Sequence, residues 1–298
     1  MYHKLNVGIA LMISLILILS IASLYKKLDL ENSKAETVWY EYQGVELLAI
    51  LENTLVVEEE DEISQTITED LPDYTKMYPD LYTVYQMPKQ MDLGKKIAYL
   101  TFDDGPSDNT FDILDILQEK DVPATFFILG SAITDEGEAC LRRMANEGHT
   151  IGIHTYSHMC NEIYCSIERY LDDFNTVYQQ IYEITGRRVS IYRFPWGSNN
   201  GYSKEIKEAL MDEMERRGFI CYDWNVSAND SVGKPTAYSI LHNIEKDLEQ
   251  HNYPIILMHD SVINDLTARV LPDIIEMIRE KGYEFDTLDH REPYQFPW

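Results

Sequence analysis

Hydrophobic and polar positions follow two different patterns along the chain, and the change falls close to residue 93. After that point, short apolar runs are followed by longer stretches in which apolar residues recur at helical spacing. The apolar runs predict strands at 97–102, 124–129, 150–154, 189–193, 219–223, 255–258 and 284–288. The helical spacing predicts helices near 109–119, 135–147, 166–184, 203–217, 238–249 and 265–280. Such alternation is typical of a parallel sheet covered by helices.

The number of predicted strands narrows the fold class. About seven strands within roughly 200 residues can form either a closed barrel or an open, doubly wound sheet. The first predicted strand is followed by neither of the glycine-rich loops that bind dinucleotides or phosphate. The sequence therefore predicts an α/β fold in which parallel strands form a (β/α) barrel.

An uncharged apolar run of 18 residues lies near the N-terminus, from Val7 to Leu24. As a helix, this run would come close to the roughly 30 Å thickness of a bilayer core. We expect residues 1–28 to form a membrane anchor and the protein to be single-pass. A cleaved signal sequence is the alternative, because Ser20 and Ala22 have the spacing of a cleavage site. The lysines that flank the run slightly favour a cytoplasmic body.

Residues 29–92 differ in composition from the rest and predict a stalk that contains an acidic run at 58–62. The whole chain carries 51 acidic and 25 basic side chains, which gives a formal net charge of -26. This excess argues against a nucleic-acid partner, since phosphate binding needs a surplus of Lys and Arg. The four cysteines lack the spacing of a disulfide framework or of a zinc ribbon.

Polar clusters follow five of the predicted strands, each at the C-terminal end. They are Asp103-Asp104, His154 to His158, Arg193 to Trp196, Asp223 to Asn225 and His259-Asp260. The C-terminal ends of the strands form one rim of a barrel, and active sites lie at that rim. We therefore expect these side chains to form a single site.

Two of these clusters have the residue types of a metal site. His154 and His158, at positions i and i+4, can bind one ion if the segment between them turns helically. A carboxylate from the first predicted strand would complete a set of two His and one carboxylate. Either motif alone is weak, because HxxxH also occurs on surfaces and DDGP also forms a capped turn. Their placement at one rim predicts a metal site, while spacing does not say whether Asp103 or Asp104 is the ligand.

At these residues the sequence closely resembles the polysaccharide deacetylase family, carbohydrate esterase family 4, over about residues 96–288. The resemblance rests on five ordered motifs. They are TFDDG at 101–105, HTYSH at 154–158, RFPW at 193–196, Trp224 with Asp230, and LMH at 257–259. The NodB-homology domain of that family is a distorted (β/α) barrel, which implies a catalytic domain at residues 93–298.

The resemblance also implies roles for the motif residues that would activate water. Asp103 would be the general base, and Arg193 would hold that base in place. Asp104 would bind the metal ion together with His154 and His158. The ion would be divalent, with zinc as the default for these ligands, although cobalt, nickel or manganese could occupy the same site.

Other motif residues would contact the substrate. By the same resemblance, Trp196 would offer its backbone N–H to the oxyanion, and Leu257 would line the acetyl pocket. Trp224 aligns with the fourth motif, which implies a place in the substrate groove. The resemblance thus implies three substrate-binding residues.

The general acid implied by the resemblance is His259. Asp230 aligns with the aspartate of the fourth motif and would orient His259. Asp223 is a competing candidate for that role, because it also follows a predicted strand.

The resemblance implies metal-dependent hydrolytic N-deacetylation of an N-acetylated polysaccharide, and the residue types fit that chemistry. Peptidoglycan is the commonest such polymer beside an anchored enzyme. We expect an extracellular catalytic domain, because a cell-wall polysaccharide lies outside the membrane. This argument outweighs the flanking lysines, which slightly favour a cytoplasmic body. A non-haem iron oxygenase also uses two His and one carboxylate, but its all-β pattern with HxD is absent from the sequence. A non-catalytic cell-wall carbohydrate-binding protein on the same barrel is the alternative, although binding alone needs neither a base nor an acid.

Overall fold

The computed structural model describes residues 71–83 and 94–297. The strands of this part are β1 (Lys96–Asp103), β2 (Thr125–Ile128), β3 (Thr150–Ile153), β4 (Ile191–Tyr192), β5 (Ile220–Cys221), β6 (Val226–Ser227), β7 (Ile255–His259) and β8 (Tyr283–Phe285). Its helices are α1 (Asp108–Lys120), α2 (Asp135–Asn146), α3 (Cys160–Ile163), α4 (Ile167–Thr185), α5 (Lys207–Arg216), α6 (Ala237–Leu248) and α7 (Asp265–Glu280). Short 3-10 turns lie at Asp73–Lys76, Gly130–Ala132 and Leu288–His290.

The strands form one parallel sheet in the order β5-β4-β3-β2-β1-β7-β6. The last strand, β8, pairs with the first three residues of β1, whereas the rest of β1 pairs with β2 and β7. Within the described residues no pairing joins β5 to β6, so the sheet is a curled half-barrel. The prediction of a parallel α/β fold is confirmed, in a form that is less closed than a complete barrel.

The seven predicted strands and the six predicted helices are present, with bounds that differ by a few residues. Helix α5 begins at Lys207 rather than at 203, because the residues before it lie in turns held by Asn200, whose Oδ1 accepts from the N–H groups of Tyr202 and Ser203. The sequence does not predict strand β6 or helix α3. These elements have 2 and 4 residues, too few to show a period.

The helices begin and end at residues that favour those positions. Ser107 and Thr110 form a reciprocal capping box at the start of α1. Gly186 ends α4 with a left-handed backbone, at φ 71°. Helix α1 then buries Ile113, Leu114 and Leu117 against the core. Helices of this kind connect successive parallel strands, so that the strands all end at the same edge of the sheet.

The predicted membrane anchor at 1–28 and the parts of the predicted stalk other than 71–83 lie outside the described residues. In the ranges that the structure describes, no helix combines the length and the apolar character needed to cross a bilayer.

Segment 71–83, which the sequence places in the stalk, packs against the end of α5 through the buried guanidinium of Arg217. That group donates hydrogen bonds to four backbone carbonyls of the segment: those of Tyr74, Met77, Tyr78 and Leu81. It also donates to Glu213 Oε1 at 2.7 Å. Leu81 is fully buried in the same core as the helices. The compact unit of the structure therefore begins at Pro72.

Replacing Arg217 with Ala should lower the free energy of unfolding by about 3 kcal/mol, because four backbone carbonyls would lose their donor and the buried Glu213 would keep only Arg216 as a partner. Urea unfolding followed by circular dichroism measures this loss. Arg269→Ala is the matched control, since the Arg269–Asp265 pair is 68% and 66% exposed. That control should cost less than about 1 kcal/mol. Equal losses in the two variants would show that the buried contacts of Arg217 do not hold the segment.

Candidate active site

The parallel register brings the C-terminal ends of the strands to one rim. Asp103, at the end of β1, lies opposite Phe127 of β2 and His259 of β7. His154 directly follows β3, and Arg193 directly follows β4. The side chains that the sequence places at separate strand ends therefore lie together, and the contacts among them define the site.

Asp104, His154 and His158 form a cluster that could hold a metal ion. The Oδ1 atom of Asp104 lies 3.5 Å from Nε2 of His154 and 3.5 Å from Nε2 of His158. One ligand atom from each of the three residues lies within 4.8 Å of the others. In the described part of the chain, this is the only group of three or more His, Cys, Asp or Glu side chains so arranged.

The donor atoms of this cluster fit a divalent cation. Two ligands of a tetrahedral ion, each about 2.05 Å from it, are separated by about 3.3 Å, close to the distances between Asp104 and the two histidines. Asp104 Oδ1 is buried and receives no hydrogen bond from the described residues. His154 Nδ1 lies 2.9 Å from the carbonyl oxygen of Arg193, which assigns the ring proton to Nδ1 and leaves Nε2 as a ligand atom. Burial lowers the pKa of His154, so the ring is neutral, as metal binding requires.

Three residues at the cluster have left-handed backbones. They are Asp104 at φ 75°, Thr155 at φ 73° and His158 at φ 55°. Residues other than glycine rarely adopt such angles, and a β-branched residue does so least of all. Two of the candidate ligands, Asp104 and His158, therefore have a strained backbone, and such strain is common at functional sites. Asp and His adopt this conformation more often than other residues with a side chain, whereas nothing in the local sequence predicts it for Thr155.

Asp103 lies beside this cluster and is paired with Arg193. Its carboxylate is 3% exposed, and Oδ1 accepts a hydrogen bond from Arg193 Nη1 at 2.8 Å. Its Oδ2 lies 3.9 Å from Nε2 of His154 and thus faces the candidate metal site. One oxygen of Asp103 is therefore fixed by the arginine, and the other is available to a reacting water.

Arg193 is itself fixed on several sides, because it is completely buried. Besides Asp103, Nη1 donates to Thr101 Oγ1 at 2.8 Å, and Nε donates to the carbonyl oxygen of Tyr222 at 2.9 Å. The guanidinium carbon also lies 4.1 Å from the ring centroid of Phe127. Arginine suits this position because its planar group presents several donors in fixed directions.

His259 is held by Asp230. Its Nδ1 lies 2.8 Å from Asp230 Oδ1, and its backbone N–H donates to Asp230 Oδ2 at 2.8 Å. Thr267 Oγ1 donates to the same Oδ2 at 2.7 Å, which fixes the carboxylate. Burial lowers the pKa of His259, but the hydrogen bond and charge of Asp230, with the charges of Asp103 and Asp104, raise it to about 9. His259 is therefore protonated at neutral pH and can donate a proton from Nε2.

Asp223, the competing candidate, has other partners. Its Oδ1 accepts from the backbone N–H of Ser198 at 2.8 Å, and its Oδ2 accepts from the Ser198 hydroxyl. The same Oδ2 accepts from the backbone N–H of Phe296 at 2.7 Å. Of the two aspartates, Asp230 thus contacts His259, whereas Asp223 joins the loop after β4 to the C-terminal segment.

The three residues implied for substrate binding lie in different surroundings. Trp196 is 43% exposed, and its ring centroid lies 4.6 Å from that of His158. Leu257 is buried in β7, on the strand that carries His259. The ring of Trp224 packs edge-on against Phe296, with 4.9 Å between centroids. The structure therefore brings Trp196 to the candidate metal site and places Trp224 against the C-terminal segment.

Asp260 is a rim residue to which the sequence assigns no role. Its carboxylate is buried, Oδ2 accepts from Thr110 Oγ1 at 2.6 Å, and Oδ1 has no partner among the described residues. Burial, with the nearby charges of Asp104 and Asp103, raises the pKa of Asp260 to about 7. A Cβ atom at Gly105 would overlap this carboxylate. In the sequence, Gly105 is the signal that could have indicated this buried contact, because a glycine allows another group to approach the backbone closely.

Gly105→Ala should lower the free energy of unfolding by about 2 kcal/mol, because the added methyl group must displace the buried carboxylate of Asp260. The turn that carries Asp104 should shift with it, so zinc affinity should fall as well. Urea unfolding and zinc titration measure the two effects. Gly201→Ala is the control, since no atom lies within 4 Å of a Cβ there. Unchanged stability and zinc affinity in Gly105→Ala would contradict the overlap.

The fold and the site together define a class of protein. A parallel α/β half-barrel carries, at one rim, a candidate metal site, a buried carboxylate fixed by arginine and a histidine fixed by aspartate. These are the groups that a hydrolase uses to activate water and to protonate a leaving group.

Comparison with known proteins identifies the family. The model of the polysaccharide deacetylase family matches residues 90–213. The chain is 32% identical to a peptidoglycan-N-acetylglucosamine deacetylase of Bacillus cereus over 68% of this chain and 72% of the relative. It is 30% identical to the peptidoglycan-N-acetylmuramic acid deacetylase PdaA of Bacillus subtilis over 73% of this chain and 80% of the relative.

A solved structure agrees with these relatives. The catalytic domain of a peptidoglycan N-acetylglucosamine deacetylase from Eubacterium rectale superposes with a TM-score of 0.65 at 33% identity, covering 72% of this chain and 97% of that one. The chain therefore belongs to the polysaccharide deacetylase family. It is a hydrolase of carbon–nitrogen bonds other than peptide bonds, and the family resemblance inferred from the motifs is confirmed.

Proposed function

We propose that this protein is a metal-dependent N-deacetylase of peptidoglycan. The observation that carries the proposal is the meeting of three groups at one rim: the Asp104–His154–His158 cluster, the Asp103–Arg193 pair and the His259–Asp230 pair. The names of the relatives in Bacillus cereus and Bacillus subtilis support peptidoglycan as the polymer. Those relatives are named for different sugars of it, glucosamine and muramic acid.

The chain's own residues divide the chemistry of amide hydrolysis between them. Asp103, with one oxygen fixed by Arg193, takes a proton from water as the water oxygen bonds to the acetyl carbon. The backbone N–H of Trp196 donates to the oxyanion that forms. His259 gives its Nε2 proton to the sugar nitrogen as the carbon–nitrogen bond breaks, leaving acetate and an amine. Leu257 lines the space for the acetyl methyl group.

Asp104, His154 and His158 would hold the metal ion. When bound there, a divalent cation would supply the Lewis acidity that makes water more acidic and the acetyl carbonyl more electrophilic. We propose zinc, because two imidazoles and one carboxylate suit it, and cobalt, nickel or manganese would fit the same donors.

Acetate release from purified peptidoglycan tests the function. The full-length chain in detergent, loaded with zinc, should release acetate, and a chelator should stop the release until zinc is restored. Acetylated xylan, which carries O-acetyl groups, is the comparison polymer and should give less acetate. Binding to peptidoglycan without acetate release, under each of the four metals, would instead support a non-catalytic wall-binding protein.

We also propose that the protein is held in the cell membrane by one span, with the catalytic domain outside. The proposal rests on the apolar run at 7–24 and on the location of the substrate. Carbonate washing should leave the protein in the membrane fraction, and protease added to intact protoplasts should remove the catalytic domain. A mature N-terminus close to Ser23 would show that the run is cleaved and the protein secreted.

A further inference from the structure

Two aromatic side chains lie exposed on the loop between β4 and α5. Trp196 is 43% exposed and Tyr202 is 58% exposed. Their ring centroids are 5.0 Å apart, and the ring planes meet at 55°. The two rings therefore form one continuous apolar surface, whereas single exposed aromatic residues are common and need no function.

Hydrogen bonds hold this loop in place. The side-chain amide of Asn200 donates to the carbonyl oxygens of Gly197 at 2.8 Å and Pro195 at 3.3 Å. Its oxygen accepts from the backbone N–H of Tyr202 at 2.9 Å, so one side chain fixes the backbone at both aromatic residues. Tyr164, which is buried beneath the loop, donates its hydroxyl to the same carbonyl of Pro195 at 3.0 Å. The exposed rings are thus attached to a fixed backbone.

The aromatic surface begins at the candidate metal site. The ring of Trp196 lies 4.6 Å from the ring of His158, and Tyr202 lies on Trp196. Tyr202 is therefore separated from the cluster by one aromatic ring. A sugar next to the one at the cluster would lie on the side of Trp196 that carries Tyr202, whose ring centroid is 5.0 Å further on.

We propose that Tyr202, with Trp196, forms a subsite for the sugar unit adjacent to the one that is deacetylated. The proposal rests on the proposed function and names a specificity residue for it. A β-1,4-linked amino sugar has C–H groups on the face of its ring, and these pack on tyrosine and tryptophan while its hydroxyl groups stay in water. Rings on a fixed backbone bind with little loss of conformational freedom.

The subsite predicts a dependence on chain length. With zinc-loaded protein and β-1,4-linked N-acetylglucosamine oligomers of two to six units, kcat/KM should rise as the chain lengthens. Tyr202→Ala should lose about tenfold in kcat/KM on the hexamer, mainly through KM, and the loss should shrink as the oligomer shortens. Tyr202→Phe should keep the wild-type dependence, because stacking needs the ring and not the hydroxyl group.

Tyr238→Ala is the matched control. Tyr238 is 76% exposed and stacks on His242 of α6, so removing it should change neither kcat nor KM on any oligomer. An equal loss on the dimer and the hexamer in Tyr202→Ala would show a structural role, and no loss on the hexamer would show no contact; either overturns the subsite. Absence of acetate from every oligomer and from peptidoglycan in the wild type would overturn the proposed function and the subsite with it.

Discussion

Asp103→Asn should bind zinc as the wild type does and yet release acetate at about 10⁻² to 10⁻⁴ of the wild-type rate. The amide oxygen can still accept from Arg193 Nη1, so the geometry of the pair should persist. An amide cannot take the proton of water, and added metal cannot replace that function. Zinc titration and acetate release, measured on the same preparation, give the two quantities.

Asp104→Asn is the matched variant, one residue away. It should lose zinc affinity rather than the proton transfer. The change replaces a charged oxygen that faces both histidines by a weaker neutral one, so zinc affinity should fall tenfold to a hundredfold or more. Acetate release should then recover in part with excess zinc. Loss of zinc in the Asp103 variant with retention in the Asp104 variant would exchange the two roles. Full activity in both would contradict deacetylation at this site.

Two short motifs predict a metal site made of His154, His158 and one of the paired aspartates, and the family resemblance implies that this aspartate is Asp104. Asp104 follows the eight-residue strand β1, His154 and His158 follow the buried four-residue strand β3, and parallel strands end at one edge. The choice between Asp223 and Asp230 could not be predicted in the same way. Asp223 lies at the end of the predicted strand at 219–223, whereas Asp230 follows β6, whose two residues are too few to show a period. The two aspartates differ in their contacts with residues far along the chain. Asp230, for example, accepts a hydrogen bond from Thr267.

Two irregular segments that the sequence does not predict are fixed by polar side chains from distant parts of the chain. Segment 71–83 has no period of its own and is held through its backbone by Arg217. The C-terminal segment is held at Phe296 by Asp223, which lies 73 residues earlier. A hydrogen bond from one side chain to a distant backbone leaves no trace in local hydrophobic spacing.

Asp230→Asn should lose activity at alkaline pH and keep most of it at pH 6. With the pKa of His259 raised to about 9, the ring holds its proton below that pH and loses it above, so the proposed acid step should persist to about pH 9. Without the hydrogen bond and charge of Asp230, the pKa of His259 should fall to about its ordinary 6.5, because burial lowers it while the charges of Asp103 and Asp104 still raise it. At pH 8 the protonated fraction would fall about thirtyfold, whereas at pH 6 it would stay within about twofold. A cation bound by Asp104 would offset the charge of that carboxylate, but Asp230 touches the ring directly.

The profile of kcat against pH measures this effect and distinguishes it from misfolding. A variant that is merely unfolded loses activity at every pH, whereas Asp230→Asn should recover much of its activity as the pH falls from 8 to 6. Asp286→Asn is the matched control, because Asp286 forms the same kind of pair with His290, at 2.9 Å and 68% exposure of the histidine. Its profile should equal that of the wild type. An unchanged alkaline limb in Asp230→Asn would mean that another group donates the proton to the leaving nitrogen, and His259 would then lose its place as the general acid.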